Sequence, residues 1–114
     1  MAKKRKDAGV IESSGNIFAD IGLPDAEGEL TKAQLASHIR ETIRRRRLTQ
    51  ISAAELMGID QPKVSALLNG RLANFSAERL MKFLAALGQD VEITVRAKPR
   101  GRERGRIRVV SEAA

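Results

Sequence analysis

Residues 50–67 read Gln50-Ile51-Ser52-Ala53-Ala54-Glu55-Leu56-Met57-Gly58-Ile59-Asp60-Gln61-Pro62-Lys63-Val64-Ser65-Ala66-Leu67. With Gln50 as the first position, the fourth, fifth, eighth, ninth, tenth, fifteenth and eighteenth are Ala53, Ala54, Met57, Gly58, Ile59, Val64 and Leu67. Each residue type suits one job in a pair of short crossed helices. Ala54 lies where the helices come closest, so a long side chain there would separate them. Gly58 opens the turn, where a positive φ is easiest for glycine. Ile59 plugs the corner. Ala53, Met57, Val64 and Leu67 form the inner faces. This spacing predicts a helix-turn-helix, with one helix from about Gln50 to Met57 and the next ending at Leu68.

The caps agree with that reading. Thr49 and Asp60 are N-cap residues for the two helices, and Pro62 is tolerated in a first turn, where its missing N–H would be unpaired anyway. Asn69-Gly70 is a left-handed stop signal. Downstream, Ser76 caps a further helix whose Leu80, Phe83, Leu84 and Leu87 recur at i, i+3, i+4 and i+7, with Gly88 after it. Upstream, Thr31 and Gln34 have capping-box spacing and predict a helix beginning after Thr31. Leu35, Ile39 and Ile43 make its apolar face. The run Arg44-Arg45-Arg46-Arg47 ends it, as a solvated helix end favoured by the dipole or as a phosphate clamp.

Outside the helices, Val91-Glu92-Ile93-Thr94-Val95-Arg96 alternates strictly and predicts a half-buried strand, with Ile107–Val110 a weaker second candidate. Residues 1–15 have little to bury and are expected to be disordered. Ile17, Phe18 and Ile21 form a short apolar hook closed by Gly22 and Pro24. The expected fold class is thus mainly all-α: a four- to five-helix domain with a C-terminal β-strand and flexible basic and acidic tails. It divides into a basic tip and acidic arm (1–29), a helix-turn-helix domain (30–90), and a C-terminal strand and basic tail (91–114).

The chain of 114 residues carries a net charge of +7 and a pI near 10.6. Such a balance points to a polyanionic partner, nucleic acid first. The charge is uneven. Asp7, Glu12, Asp20, Asp25, Glu27 and Glu29 fall in a stretch with no Lys or Arg, whereas 44–71 and 96–108 are basic. Separate surfaces for separate partners follow from that asymmetry. The 96–108 tail adds affinity by counterion release, or simply solubilises the chain. Aromatics are three Phe, with no Trp or Tyr, which argues against base-stacking platforms for single strands. There is no cysteine, so disulfides and Cys-based zinc sites are excluded.

No apolar run approaches the roughly 20 residues of a membrane span, and no secretory signal is evident. A cytoplasmic location is the default expectation. His38 is the only histidine and reads as structural or solvent-facing rather than as a metal ligand. Ser13 and Ser14 have no activating partner nearby, and no phosphate-binding glycine loop is present. Neither an enzyme nor a cofactor or metal site is expected.

The outward face of the second helix of the motif is Gln61, Pro62, Lys63, Ser65 and Ala66. A helix in the major groove reads bases with its N-terminal residues. Gln can pair bidentately with adenine, Lys donates to guanine, and Ser suits several edges.

The segments Leu48-Thr49-Gln50, Ala54–Ile59, Gln61–Ser65 and Leu68-Asn69-Gly70-Arg71 resemble the Xre/Cro/C1 family of phage-repressor-like regulators. Ser14–Pro24, Phe75-Ser76, Arg79-Leu80 and Ala86–Val91 are similar to a HigA-like branch, whose members are often antitoxins encoded beside HigB/RelE-like toxins. The resemblance spans roughly residues 14–97. It implies base reading by Gln61 and Lys63 first, then Ser65 and Ala66. It implies phosphate contacts from Gln50, which also buttresses the reading helix, from Asn69 with Arg71 beside it, and from one or two of the arginine run, here Arg46 and Arg47. Pro62 departs from the pattern: many relatives have a polar reader there, and proline offers at most a thymine-methyl contact.

The resemblance further implies a homodimer on a two-fold operator in double-stranded DNA. The Val91–Ala97 strand is the candidate seam. The expected function is a repressor, the antitoxin of a toxin pair that autoregulates its operon, with Ile17, Phe18 and Ile21 on the acidic arm as the toxin contact. Two alternatives stay open: a stand-alone Xre-type regulator without a toxin, and a protein-interaction module that has lost DNA binding.

Overall fold

Glu27 and Glu29 put negative charge into a first helical turn, where the helix dipole favours it. In the computed structural model, which describes residues 26–112, helix α1 accordingly runs Ala26–Arg45. It starts six residues before the expected point. Thr31 is therefore not an N-cap: its hydroxyl donates back to the Glu27 carbonyl at 2.9 Å, inside the helix. Gln34 is no capping partner either. Its Oε1 accepts from the Val109 N–H at 3.2 Å. Residues 26–29, expected to belong to the arm, are helical. Ile17, Phe18 and Ile21 lie outside the described residues.

The other three helices follow the expected signals. Helix α2 is Gln50–Met57, α3 is Gln61–Leu68 and α4 is Ala77–Ala86. Thr49 caps α2 in a reciprocal box with Ser52, Asp60 caps α3 by accepting from the Lys63 N–H, and Ser76 caps α4 by accepting from the Arg79 N–H. At their far ends, α1, α3 and α4 share one device. The N–H groups of Leu48, Arg71 and Gln89 reach back to the carbonyls of Ile43, Ala66 and Leu84, at 2.9–3.0 Å. That closure needs a left-handed residue just before the donor. Gly70 and Gly88 supply it for α3 and α4, whereas in α1 it is Arg47, at φ 56.

The core draws on all four helices. Ile39 from α1, Ala53 from α2, Val64 and Leu67 from α3, and Leu80 from α4 are all fully buried, with Leu87 just beyond α4. Phe75 and Phe83 meet edge-to-face at 5.9 Å, and the Arg79 guanidinium lies 5.4 and 5.2 Å from the two ring centroids. Helix α4 packs mainly on α1, and α2 on α3.

The expected C-terminal strand does not form. Among the described residues there is no strand, and 89–100 are exposed throughout. A strand needs a ladder partner, and among the described residues no backbone hydrogen bond reaches residues 90–98. The second candidate segment is placed elsewhere. The Ile107 N–H donates to Glu27 Oε2 at 2.8 Å, and Val109 packs on the core beside Gln34. The tail end thus lies along α1 rather than beside residues 91–96.

One side chain ties α1 to the loop after α3. Lys32 Nζ donates to the carbonyls of Leu72 and Phe75, at 3.2 and 3.1 Å, and pairs with Glu29 at 3.6 Å. Its side chain is only 16% exposed, so these bonds are poorly replaced by water. Lys32→Met keeps the apolar stem and removes the donor. It is expected to destabilise the fold by about 1–3 kcal/mol, measured by urea unfolding; a change under about 0.3 kcal/mol would refute this role.

Candidate nucleic-acid interface

Helix α3 is built with two unlike faces. Val64 and Leu67 are completely buried, while Gln61, Pro62 and Lys63 at its start are exposed. Ser65 and Ala66 are half-buried. The tip of α3 thus offers an amide, a proline ring and an ammonium group to solvent, on a helix held from behind by its own core residues.

The tip is locally ordered. Asp60 Oδ1 accepts from the Lys63 N–H at 3.0 Å, and Lys63 Nζ lies 3.4 Å from Asp60 Oδ2. The Lys63 backbone N–H, followed by the lysine side chain, holds the Asp60 carboxyl below its ordinary range. Gln61 Nε2 donates to Gln50 Oε1 at 3.5 Å, a long bond that joins the starts of α2 and α3. At the other end of α3, the Asn69 amide donates to the Ser65 carbonyl at 2.9 Å and lies 3.4 Å from Ser65 Oγ. Its amide thus closes the helix's own terminus.

The arginines divide by partner. Arg44 and Arg45 both pair with Glu41, whose carboxyl they hold below its usual range, Arg44 by its hydrogen bond first. Arg46 Nη1 donates to the Leu87 carbonyl at 2.8 Å. That guanidinium closes the C-terminal end of α4, and any phosphate contact would have to use its remaining nitrogens. Arg47 and Arg71 are exposed and make no salt bridge among the described residues. The structure therefore brings together Gln50 with Gln61, Lys63 with Asp60, and Ser65 with Asn69. It also gives Arg46 a structural bond at the end of the last helix. Lys32 and the capping role of Arg46 escaped sequence reasoning. Their acceptors are carbonyls some 40 residues away, and a main-chain acceptor leaves no mark in side-chain identity.

No group of three or more His, Cys, Asp or Glu suited to a metal occurs among the described residues, and no described helix is long and apolar enough to cross a membrane.

Comparison with known proteins agrees with this geometry. A family model described as a helix-turn-helix domain matches residues 17–96. A Mycobacterium tuberculosis protein named as an antitoxin, HigA2, is 38% identical over 61 residues, which cover 54% of this chain and 60% of that protein. The match thus spans less than two thirds of that relative. A solved structure described as an XRE family transcriptional regulator superposes with a TM-score of 0.74 at 55% identity, covering 78% of this chain and 100% of the other.

Proposed function

From the premise that this chain belongs to the helix-turn-helix family of XRE-type regulators, we propose that it is a sequence-specific DNA-binding repressor that places α3 in the major groove. The fold is a non-enzymatic DNA-binding one. The observation that carries the reading is the exposed Gln61-Pro62-Lys63 tip over the buried Val64 and Leu67. Gln61 and Lys63 are the base readers, with Ser65 and Ala66 supporting. Pro62 contributes apolar contact only. Gln50, Asn69, Arg47 and Arg71 are the phosphate contacts, with Arg46 reaching phosphate through the nitrogens that its bond to Leu87 leaves over. The protein acts as a homodimer, one α3 to each half-site.

The likeness to a protein named as an antitoxin supports a second activity, neutralisation of a RelE-like toxin by the acidic segment that precedes α1. Such toxins bind RNA and are basic, so an acidic arm complements them. Because α1 begins at Ala26, a clean test removes residues 1–25 and leaves the helix whole. The truncated chain is expected to shift its own upstream DNA in a gel assay as the full chain does, and to lose neutralisation of a toxin encoded in the adjacent frame. Unimpaired neutralisation would sink the arm's role. Failure of the full chain to shift that DNA would sink the repressor reading.

A further inference from the structure

Residues 90–98 belong to neither a helix nor a strand. All are exposed, none has a backbone hydrogen bond to another described residue, and Ile93 and Val95 stand 75% and 91% exposed. A β-branched run left this bare is an unpaired edge. Its polar positions carry a further pattern. In strand geometry Asp90, Glu92, Thr94, Arg96 and Lys98 share one face, and they read acid, acid, neutral, base, base. That order is antisymmetric about Thr94.

We infer that residues 90–98 pair antiparallel with the same residues of a second copy, with Thr94 on the two-fold axis. This rests on the homodimer reading above and gives it a register. In that register Glu92 faces Arg96 of the second copy and Asp90 faces its Lys98, and symmetry repeats both pairs. Thr94 faces Thr94. On the other face Ile93 meets Val95 and Val91 meets Ala97. Every charge finds its opposite and every β-branched apolar side chain an apolar neighbour.

Other registers do worse. Centring on Ile93 sets Asp90 against Arg96 but leaves Glu92 against Thr94 and Lys98 against Gly88. Centring on Val95 sets Arg96 against Thr94 and extends the pairing past Pro99, into the turn at 100–101. Parallel pairing puts each charge against its like, which is destabilising. The antiparallel arrangement also supplies the ladder partner that the described residues of a single chain lack.

The experiment measures self-association of the full chain without DNA, so its outcome is independent of operator recognition. By sedimentation equilibrium, Arg96→Glu sets two acids against each other at both symmetric sites. It is expected to raise the dimer dissociation constant at least about tenfold. The double variant Glu92→Arg with Arg96→Glu restores the pair and is expected to return the constant to within about threefold of the parent. The chain has no native cysteine, so single-cysteine variants report the register. Thr94→Cys is expected to form a disulfide dimer readily, while Ile93→Cys and Val95→Cys do so only when mixed with each other. All these positions are exposed, and circular dichroism should show unchanged helix content. An unaltered dissociation constant for Arg96→Glu, or Ile93→Cys crosslinking as fast as Thr94→Cys, would overturn the register. A chain that dimerises in this register yet fails to bind its operator leaves the strand pairing standing and refutes the repressor.

Discussion

Leu67→Ala is expected to destabilise the domain by about 2–5 kcal/mol, the range for removing a leucine side chain from a packed interior. Leu67 is 0% exposed and sits on the inner face of α3, in the same apolar cluster as the buried residues of α1, α2 and α4. Deleting its three carbons leaves a hole that four helices would have to close at once. For a folded unit of this size the loss corresponds to a fall in melting temperature on the order of 10–30 °C. Differential scanning calorimetry checks it. The comparison is Gln61→Ala on the opposite face of the same helix, where an exposed substitution should change stability by no more than about 0.5 kcal/mol. A Leu67→Ala loss under 1 kcal/mol would mean that α3 is not seated in the core.

The second large effect lies in binding. Gln61→Ala and Lys63→Ala are each expected to weaken operator binding by about 1–3 kcal/mol, roughly five- to 150-fold, while leaving non-specific binding nearly unchanged. The distinction matters because the chain is strongly basic, and much of its affinity for any duplex comes from phosphate neutralisation. Arg71→Ala tests that other component. It should lower specific and non-specific affinity alike and reduce the slope of log K against log salt by about one. Measuring each variant by fluorescence anisotropy on operator and scrambled DNA, at several salt concentrations, separates the two roles. If Lys63→Ala lowered both affinities equally, Lys63 would be a phosphate contact and not a base reader.

The helix-turn-helix was legible because its determinants are local. Thr49, Asp60 and Ser76 lie next to the N–H groups that they cap, and Gly58, Gly70 and Gly88 stand where the chain must turn with positive φ. Leu80, Phe83, Leu84 and Leu87 show their burial in their spacing. The start of α1 was harder to read. Thr31 and Gln34 satisfy a capping pattern, but the acidic turn ahead of them also favours helix, and the longer helix prevailed. Capping signals fix a terminus only when no helix-compatible residues precede them.

Sequence alone therefore settled the exposed tip of α3 and its buried back, since both follow from side-chain type and a period of 3.6 residues. Only the tertiary structure showed that Arg46 serves the end of α4, that Lys32 holds the loop after α3, and that the 107–109 tail lies on α1. Each of these bonds joins groups far apart in the chain, and in each one partner is a main-chain atom that any residue could supply. The alternation at 91–96 was just as plain in the sequence, yet no strand formed. An alternating pattern shows that a segment can be one edge of a ladder, but a ladder needs a second edge, and the described residues do not provide one.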